Sequence, residues 1–421
     1  MNMICYLSSL SVLIYLSVGL FVCSSPVQLI IDTDLGFDVD DVGAIAVGNY
    51  FQDIGEAEIL AVIHNTAFYK GIGGVDVINH WYDRFDLELG GYRGQWGSSD
   101  DAQDAQDSYT SSIERDYPSD IQNYDQVLDE VSAYKKALSG ADNNTVVVVS
   151  IGEPLAIRNI LQAEYDLFVS KVREVHYMDG GYNFGCGDSD GSEWSPWLGS
   201  TEDCDGAAQY VVDHIPSSIR QYFSLNGENI LTGSRFQEGC GSGPVKEAYQ
   251  LWTNYGSRPS WDLISVYMAI RGVESLYSTA YAGTNNVDYY GHEDFDVTDT
   301  ENNQYQVWID DSHYGDVVRI LDDIICANPC KSSEKVGGCA GYILNSGSNC
   351  WSDHGADDID SSEPCGIFSL SECQQWCDKT DGCDGVVVTA AHDGLVECYR
   401  KANINLIECD LYWPFDTYVK T

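Results

Sequence analysis

Short, nearly continuous apolar runs alternate along the chain with stretches whose apolar residues return every three or four positions. Residues 27–31 and 59–63 form two such runs, and 146–150 a third, in which Val146, Val147, Val148 and Val149 leave no polar face. A strand that is apolar on both sides is what a sheet covered by helices on both faces requires. Helical spacing follows each run, over residues 41–46, 74–82 and 155–162. This order predicts an α/β fold with a mostly parallel central sheet flanked by helices, spanning residues 27–325 and closed by a helix at 317–325. Ligands of such sheets bind beyond the carboxyl ends of the strands, so the chemistry belongs in the loops that follow these runs. Residues 98–107 read as an acidic surface loop. The Gly-, Ser- and Asp-rich segment between Cys186 and Cys204 reads as a lid pinned by its two cysteines. Residues 284–313 carry Asn, Asp and Tyr without a clear period.

The two ends of the chain follow other patterns. Residues 1–22 are apolar and hold neither Lys nor Arg, and Val22-Cys23-Ser24 places small residues at a cleavage site. This predicts a signal peptide over residues 1–24, with a single membrane anchor as the alternative. Of the 15 cysteines, Cys5 and Cys23 lie in this leader, which leaves an odd number, and ten fall between Cys326 and Cys409. Such density belongs to a small disulfide-stapled domain in an oxidising compartment, so the protein is expected to be secreted or to sit in the secretory lumen. A sequon at Asn143 agrees with that route. The net charge of −45 is spread over both regions and argues against nucleic acid as a partner, because phosphates would be repelled. A small neutral substrate is compatible with it, and a homo-oligomer remains open.

The segment Asp32-Thr33-Asp34-Leu35-Gly36-Phe37-Asp38-Val39-Asp40-Asp41 sets five carboxylates directly after the first apolar run. Packed together they repel one another and raise their own pKa values; a hard divalent cation with oxygen ligands is the simplest compensation. Gly36 permits the tight turn that brings the later aspartates back towards Asp34. A solvated acidic loop is the bland alternative.

This segment resembles the N-terminal signature of the nucleoside hydrolase family, in a variant two residues longer, with Asp40-Asp41 in place of the family's adjacent pair. Four further segments resemble family motifs in the expected order. They are Ala61-Val62-Ile63-His64-Asn65-Thr66, Val149-Ser150-Ile151-Gly152, Met178-Asp179-Gly180-Gly181 with Glu193-Trp194, and Arg258-Pro259-Ser260-Trp261-Asp262. The resemblance covers roughly residues 27–325. It implies Ca²⁺ held by Asp34, Asp41, Asp262 and the Ile151 carbonyl, with Asp34 taking the proton of a water that attacks C1′ of a ribonucleoside. It implies that Asp40, Asn65, Asn183 and Glu193 hold sugar hydroxyls. Trp261 stands where many relatives have a His, and reads either as a base-stacking residue or as a core tryptophan. Ser195 replaces a second Asn. His64 reads as a structural histidine or a proton donor. Gly71-Ile72-Gly73-Gly74 lacks the third glycine of a dinucleotide fingerprint, and no phosphate-cradling loop or zinc helix motif occurs.

Residues 326–421 shift to Cys, Gly, Ser and Asp. Cys373 and Cys377 lie one helical turn apart, and the runs at 385–388 and 397–400 read as strands. This region is similar to a PAN/Apple module, which implies a small α+β unit that binds protein or carbohydrate; zinc is the rival use of its cysteines. The reading is therefore a secreted Ca²⁺-dependent hydrolase of N-glycosidic bonds. The alternative is a nucleoside- or sugar-binding protein without turnover that acts through its tail.

Overall fold

The computed structural model describes residues 26–94, 109–121, 123–179 and 206–329 of the larger region. In the C-terminal part it describes 342–345, 348–352, 354–359, 364–368, 370–390, 396–406, 409–411 and 415–420. The expected leader, the 98–107 loop and the Cys186–Cys204 lid lie outside the described residues. So do Asn183, Glu193 and Ser195.

The apolar runs become strands and the periodic stretches become helices. Along the chain come β1 (Val27–Thr33), α1 (Asp40–Asp53), β2 (Ala57–His64), α2 (Tyr69–Trp81), β3 (Glu88–Gly91), α3 (Tyr109–Asp116), β4 (Leu128–Asp129) and α4 (Glu130–Gly140). There follow β5 (Val146–Ile151), α5 (Leu155–Lys171), β6 (Val172–Tyr177), α6 (Ala207–His214), β7 (Arg220–Ser224), β8 (Leu231–Thr232), α7 (Gly243–Thr253), β9 (Arg258–Pro259) and α8 (Trp261–Arg271). Last in this region are β10 (Ser278–Val287), β11 (Glu293–Asp296), β12 (Gln304–Ile309) and α9 (Tyr314–Ile325).

Ten strands form one sheet in the order β11-β10-β12-β7-β6-β5-β1-β2-β3-β4. From β12 to β4 every neighbour is parallel; β10 and β11 are added antiparallel. Both faces are buried, as the unbroken apolar runs demand. Leu29, Ile31, Val147 and Val149 face α1, α2, α7, α8 and α9. Ile30, Val146 and Val148 face α4, α5 and α6. The polar 284–313 segment, without period in the sequence, holds most of the β10–β12 extension. One face of these strands meets water, which weakens the apolar signal.

From β1 the chain builds outward through β2, β3 and β4, then returns to place β5 on the other side of β1 and builds away through β6 and β7. The direction of winding therefore reverses between β1 and β5. Helices leave these two strands on opposite faces, and a crevice opens at their carboxyl ends.

The C-terminal region adds β13 (Tyr342–Asn345), β14 (Ser348–Asn349), β15 (Trp351–Ser352), β16 (Gly355–Asp358), β17 (Gly366–Phe368), α10 (Leu370–Asp378), β18 (Gly385–Ala390), β19 (Val396–Ala402), β20 (Asp410–Leu411) and β21 (Phe415–Lys420). Its main sheet runs β13-β21-β18-β19-β16-β15, with β17 on β19. Disulfide Cys373–Cys398 ties α10 to β19, and Cys377–Cys383 ties it to the loop before β18. Cys350–Cys409 closes the other end. In the larger region Cys240–Cys326 pins the loop before α7 to the end of α9. The two regions meet where Arg319 of α9 pairs with Asp416 of β21. No helix among the described residues is long and apolar enough to cross a membrane.

Candidate metal and substrate site

The site grows from the register of three strands. Thr33 of β1 stands level with His64 of β2 and Ile151 of β5, so the residues that follow them emerge at one level. The backbone N–H of Asn65 donates to the Thr33 carbonyl at 2.9 Å. Gly152 lies beneath Asp34 and Asn65: a Cβ there would stand 2.9 Å from Asp34 Oδ1 and 3.0 Å from Asn65 Nδ2. Sequence-predicted Asp34, Asn65 and Ile151 thus meet at the crevice.

The aspartate loop turns back as its glycine suggests. Gly36 has φ +125° and its Cα is covered by Phe68, where a side chain would collide. Thr33 Oγ1 donates to Asp41, and the Asp40 N–H donates to Asp38 Oδ1 at 3.3 Å. Asp40 and Asp41 open α1, where the helix dipole favours carboxylates. Asp262 opens α8, and its own N–H donates to Asp40 Oδ2 at 3.4 Å, which links the two helix starts. Carboxylate oxygens of Asp38, Asp40 and Asp262 come within 4.8 Å of one another. Asp34, Asp40, Asp41 and Asp262 are all buried.

Such crowding has an electrostatic consequence. Burial, then the charge of Asp38, raises the Asp40 pKa well above the usual carboxylate range, against the pull of Arg258. Burial, then the charges of Asp34 and Asp38, raises Asp41 in the same way. Carboxylates held this way take up protons unless a cation balances them. The all-oxygen donor set of Asp38, Asp40 and Asp262 fits a hard divalent ion; of the expected ligands Asp34, Asp41, Asp262 and the Ile151 carbonyl, this group includes Asp262 alone.

Two partners were not legible in the sequence. Arg258 Nη2 binds Asp38 at 2.5 Å, and its Nε lies 3.3 Å from Asp40 Oδ1. The same guanidinium lies over the Trp261 ring, 5.0 Å from its centroid. Asp38, the residue the longer loop brings in, is thereby neutralised by an arginine, and one face of Trp261 is covered. The second partner is Tyr134 of α4, whose hydroxyl donates to Asp32 at 2.6 Å. Burial pushes Asp32 up to about 7, although hydrogen bonds from Tyr134 and Asn65 oppose it.

His64 occupies a structural position. Its Nε2 stands 3.0 Å from the Leu35 carbonyl, which only accepts, so that nitrogen carries the proton. Its Nδ1 meets the Tyr124 hydroxyl at 2.8 Å. Burial lowers its pKa to about 4, so the ring is neutral at physiological pH.

No family model and no curated protein matches the chain. Solved structures do match in fold. An inosine-guanosine nucleoside hydrolase superposes with a TM-score of 0.52 at 18% identity, over 71% of this chain and 98% of its own. An inosine-uridine preferring nucleoside hydrolase from Bacillus anthracis gives 0.52 at 12% identity, over 70% and 99%. The type III effector XopQ, solved with adenosine diphosphate ribose, gives 0.53 at 13% identity, over 73% and 94%. The fold is that of the nucleoside hydrolases: a large, mostly parallel sheet flanked by helices.

Proposed function

We propose that the chain is a secreted hydrolase of N-glycosidic bonds that acts on ribonucleosides or closely related ribosylated small molecules and depends on Ca²⁺. The observation that carries this reading is the crowding of carboxylates at the strand-order reversal, where Asp38, Asp40 and Asp262 come within 4.8 Å of one another and Asp41 lies close enough to Asp34 and Asp38 for their charges to raise its pKa. The fold of the nucleoside hydrolases and the ADP-ribose held by one structural neighbour support the substrate class. Residues Asp34, Asp41, Asp262 and the Ile151 carbonyl would hold the ion, which when bound would lower the pKa of a water and balance the carboxylates. Asp34 takes the proton of the attacking water, and Asp40 and Asn65 accept hydrogen bonds from sugar hydroxyls. Asn183 and Glu193 are assigned further hydroxyls. In this reading Trp261 contributes the face that Arg258 leaves uncovered.

A second reading, a nucleoside-binding protein without turnover, is favoured by one feature. The residue before Asp262 is Trp261, and His64 is committed to Leu35 and Tyr124, so neither protonates a departing base. In both readings the C-terminal region is a PAN/Apple-like module that binds protein or carbohydrate.

The test is base release from a panel of ribonucleosides by the full-length protein, with and without chelation of divalent ions. Calcium-dependent release is expected in the native protein. Asp34→Ala is expected to reduce kcat by roughly 10²–10⁴-fold, as loss of a catalytic base does. Binding of calcium and nucleoside without release would establish the second reading.

A further inference from the structure

Strand alternation sends Asp32 to the opposite face of β1 from Thr33, towards α4 and away from Asp41. There it is fully buried. Its Oδ1 accepts from Asn65 Nδ2 at 2.5 Å, and its Oδ2 accepts from the Tyr134 hydroxyl at 2.6 Å. Asn65 is itself completely buried, and its Oδ1 has no hydrogen-bond partner among the described residues. Leaving an amide oxygen in that state is unfavourable unless a donor arrives with a ligand.

An asparagine amide has two orientations that exchange donor and acceptor ends. Both oxygens of Asp32 are used as acceptors, Oδ1 by the Asn65 amide and Oδ2 by the Tyr134 hydroxyl, so this carboxyl group holds Asn65 with Nδ2 turned inward and leaves the Asn65 Oδ1 without a protein partner among the described residues. The same amide adjoins Asp34 across Gly152, where no side chain could intrude. Position and polarity of Asn65 are therefore both set from beneath.

We propose that Asp32, braced by Tyr134, is a positioning residue that locks the Asn65 amide so that its Oδ1 accepts a hydrogen bond from a substrate hydroxyl. The identity of that substrate as a ribosylated compound rests on the hydrolase reading above; the lock itself does not. A site of this polarity selects a hydroxyl and rejects an acceptor at the same place, so it distinguishes ribo- from deoxyribonucleosides.

Two readouts on the full-length protein test the proposal. The first is the Asn65 side-chain amide in a spectrum of asparagine-labelled protein, assigned by its loss in Asn65→Asp. Slow exchange is expected in the native protein and in Asp32→Asn, which keeps an oxygen acceptor, and fast exchange in Asp32→Leu. The second is KM for a ribonucleoside and its 2′- and 3′-deoxy analogues. Asp32→Leu is expected to raise the ribonucleoside KM about tenfold, the worth of one hydrogen bond. It should leave unchanged the analogue that lacks the hydroxyl met by Asn65. Asp32→Asn recovers most of the loss, and Tyr134→Phe, the milder variant in case Asp32→Leu does not fold, gives a smaller shift in the same direction. Unprotected Asn65 in the native protein, or a KM that rises equally for all three compounds, overturns the proposal. A protected amide in a protein that neither binds nor cleaves nucleosides retains the lock and overturns the hydrolase reading instead.

Discussion

Single residues in this site act by what they leave room for. Gly152 shows it most directly, since Asp34 and Asn65 close over its Cα. A methyl group there must push both side chains away, and overpacking of this kind costs about 1–3 kcal/mol. Gly152→Ala is therefore expected to raise the nucleoside KM and lower kcat together, with a fall in melting temperature of only a few degrees. A calorimetric melt beside a kinetic assay checks it. Unchanged kinetics would mean that the crevice relaxes around the methyl group. Arg258 shows the converse case, a residue that fills a need: it supplies positive charge to Asp38 and Asp40 where their mutual repulsion is worst. The motif Arg258-Pro259-Ser260-Trp261-Asp262 was visible in the sequence. That its arginine turns back onto Asp38, some 220 positions away, was not.

Elements carry charge arrangements of their own. On β6, Glu174 lies beside His176, Arg173 and Arg220. Burial works against its ionisation, yet His176 and Arg173 outweigh it and hold its pKa at about 2, below the ordinary 4.5. A depressed native pKa means that the unfolded chain binds the proton more readily. The stabilisation is thus fully present above pH 4.5 and is lost as pH falls towards about 2. Unfolding midpoints measured from pH 6 to 2 are expected to fall less steeply in Glu174→Gln; parallel curves would show that Glu174 does not contribute. On α10, the Cys373–Cys398 bridge spans 25 residues and holds the helix on its sheet. Its removal in Cys373→Ser is expected to cost the module about 2–4 kcal/mol. Limited proteolysis should then cut within 326–421 while base release persists. A loss of release would show that the module supports the site.

At the scale of the whole molecule, the Arg319–Asp416 pair joins the larger region to the disulfide-rich one. Asp416 is largely buried, so deleting the arginine removes a group that balances its charge. The pair is partly solvated on the Arg319 side, which reduces the penalty to about 1–3 kcal/mol. Arg319→Ala is expected to separate thermal unfolding into two transitions, the C-terminal region melting first. A single unchanged transition would mean that the two regions stay joined without this ion pair.

Much of this protein was determined locally. Continuous valine, isoleucine and leucine runs cannot meet water on either face, so they specify a covered parallel sheet. Five carboxylates within ten residues after a buried strand repel one another, so a crowded acidic site was legible in the sequence; that Asp38, Asp40 and Asp262 are the ones brought within 4.8 Å was decided by the fold. The half-polar β10 to β12 strands escaped because one-sided burial leaves little apolar contrast. Tertiary structure alone decided which cysteines pair, that Arg258 neutralises Asp38, and that Tyr134, 102 positions from Asp32, completes the shell beneath Asn65. The physical reason is common to all of these. Hydrophobic periodicity is a property of neighbouring residues and survives in the sequence. A buried hydrogen bond or ion pair is a property of two distant side chains brought within 3 Å, and exists only after the sheet has brought them together.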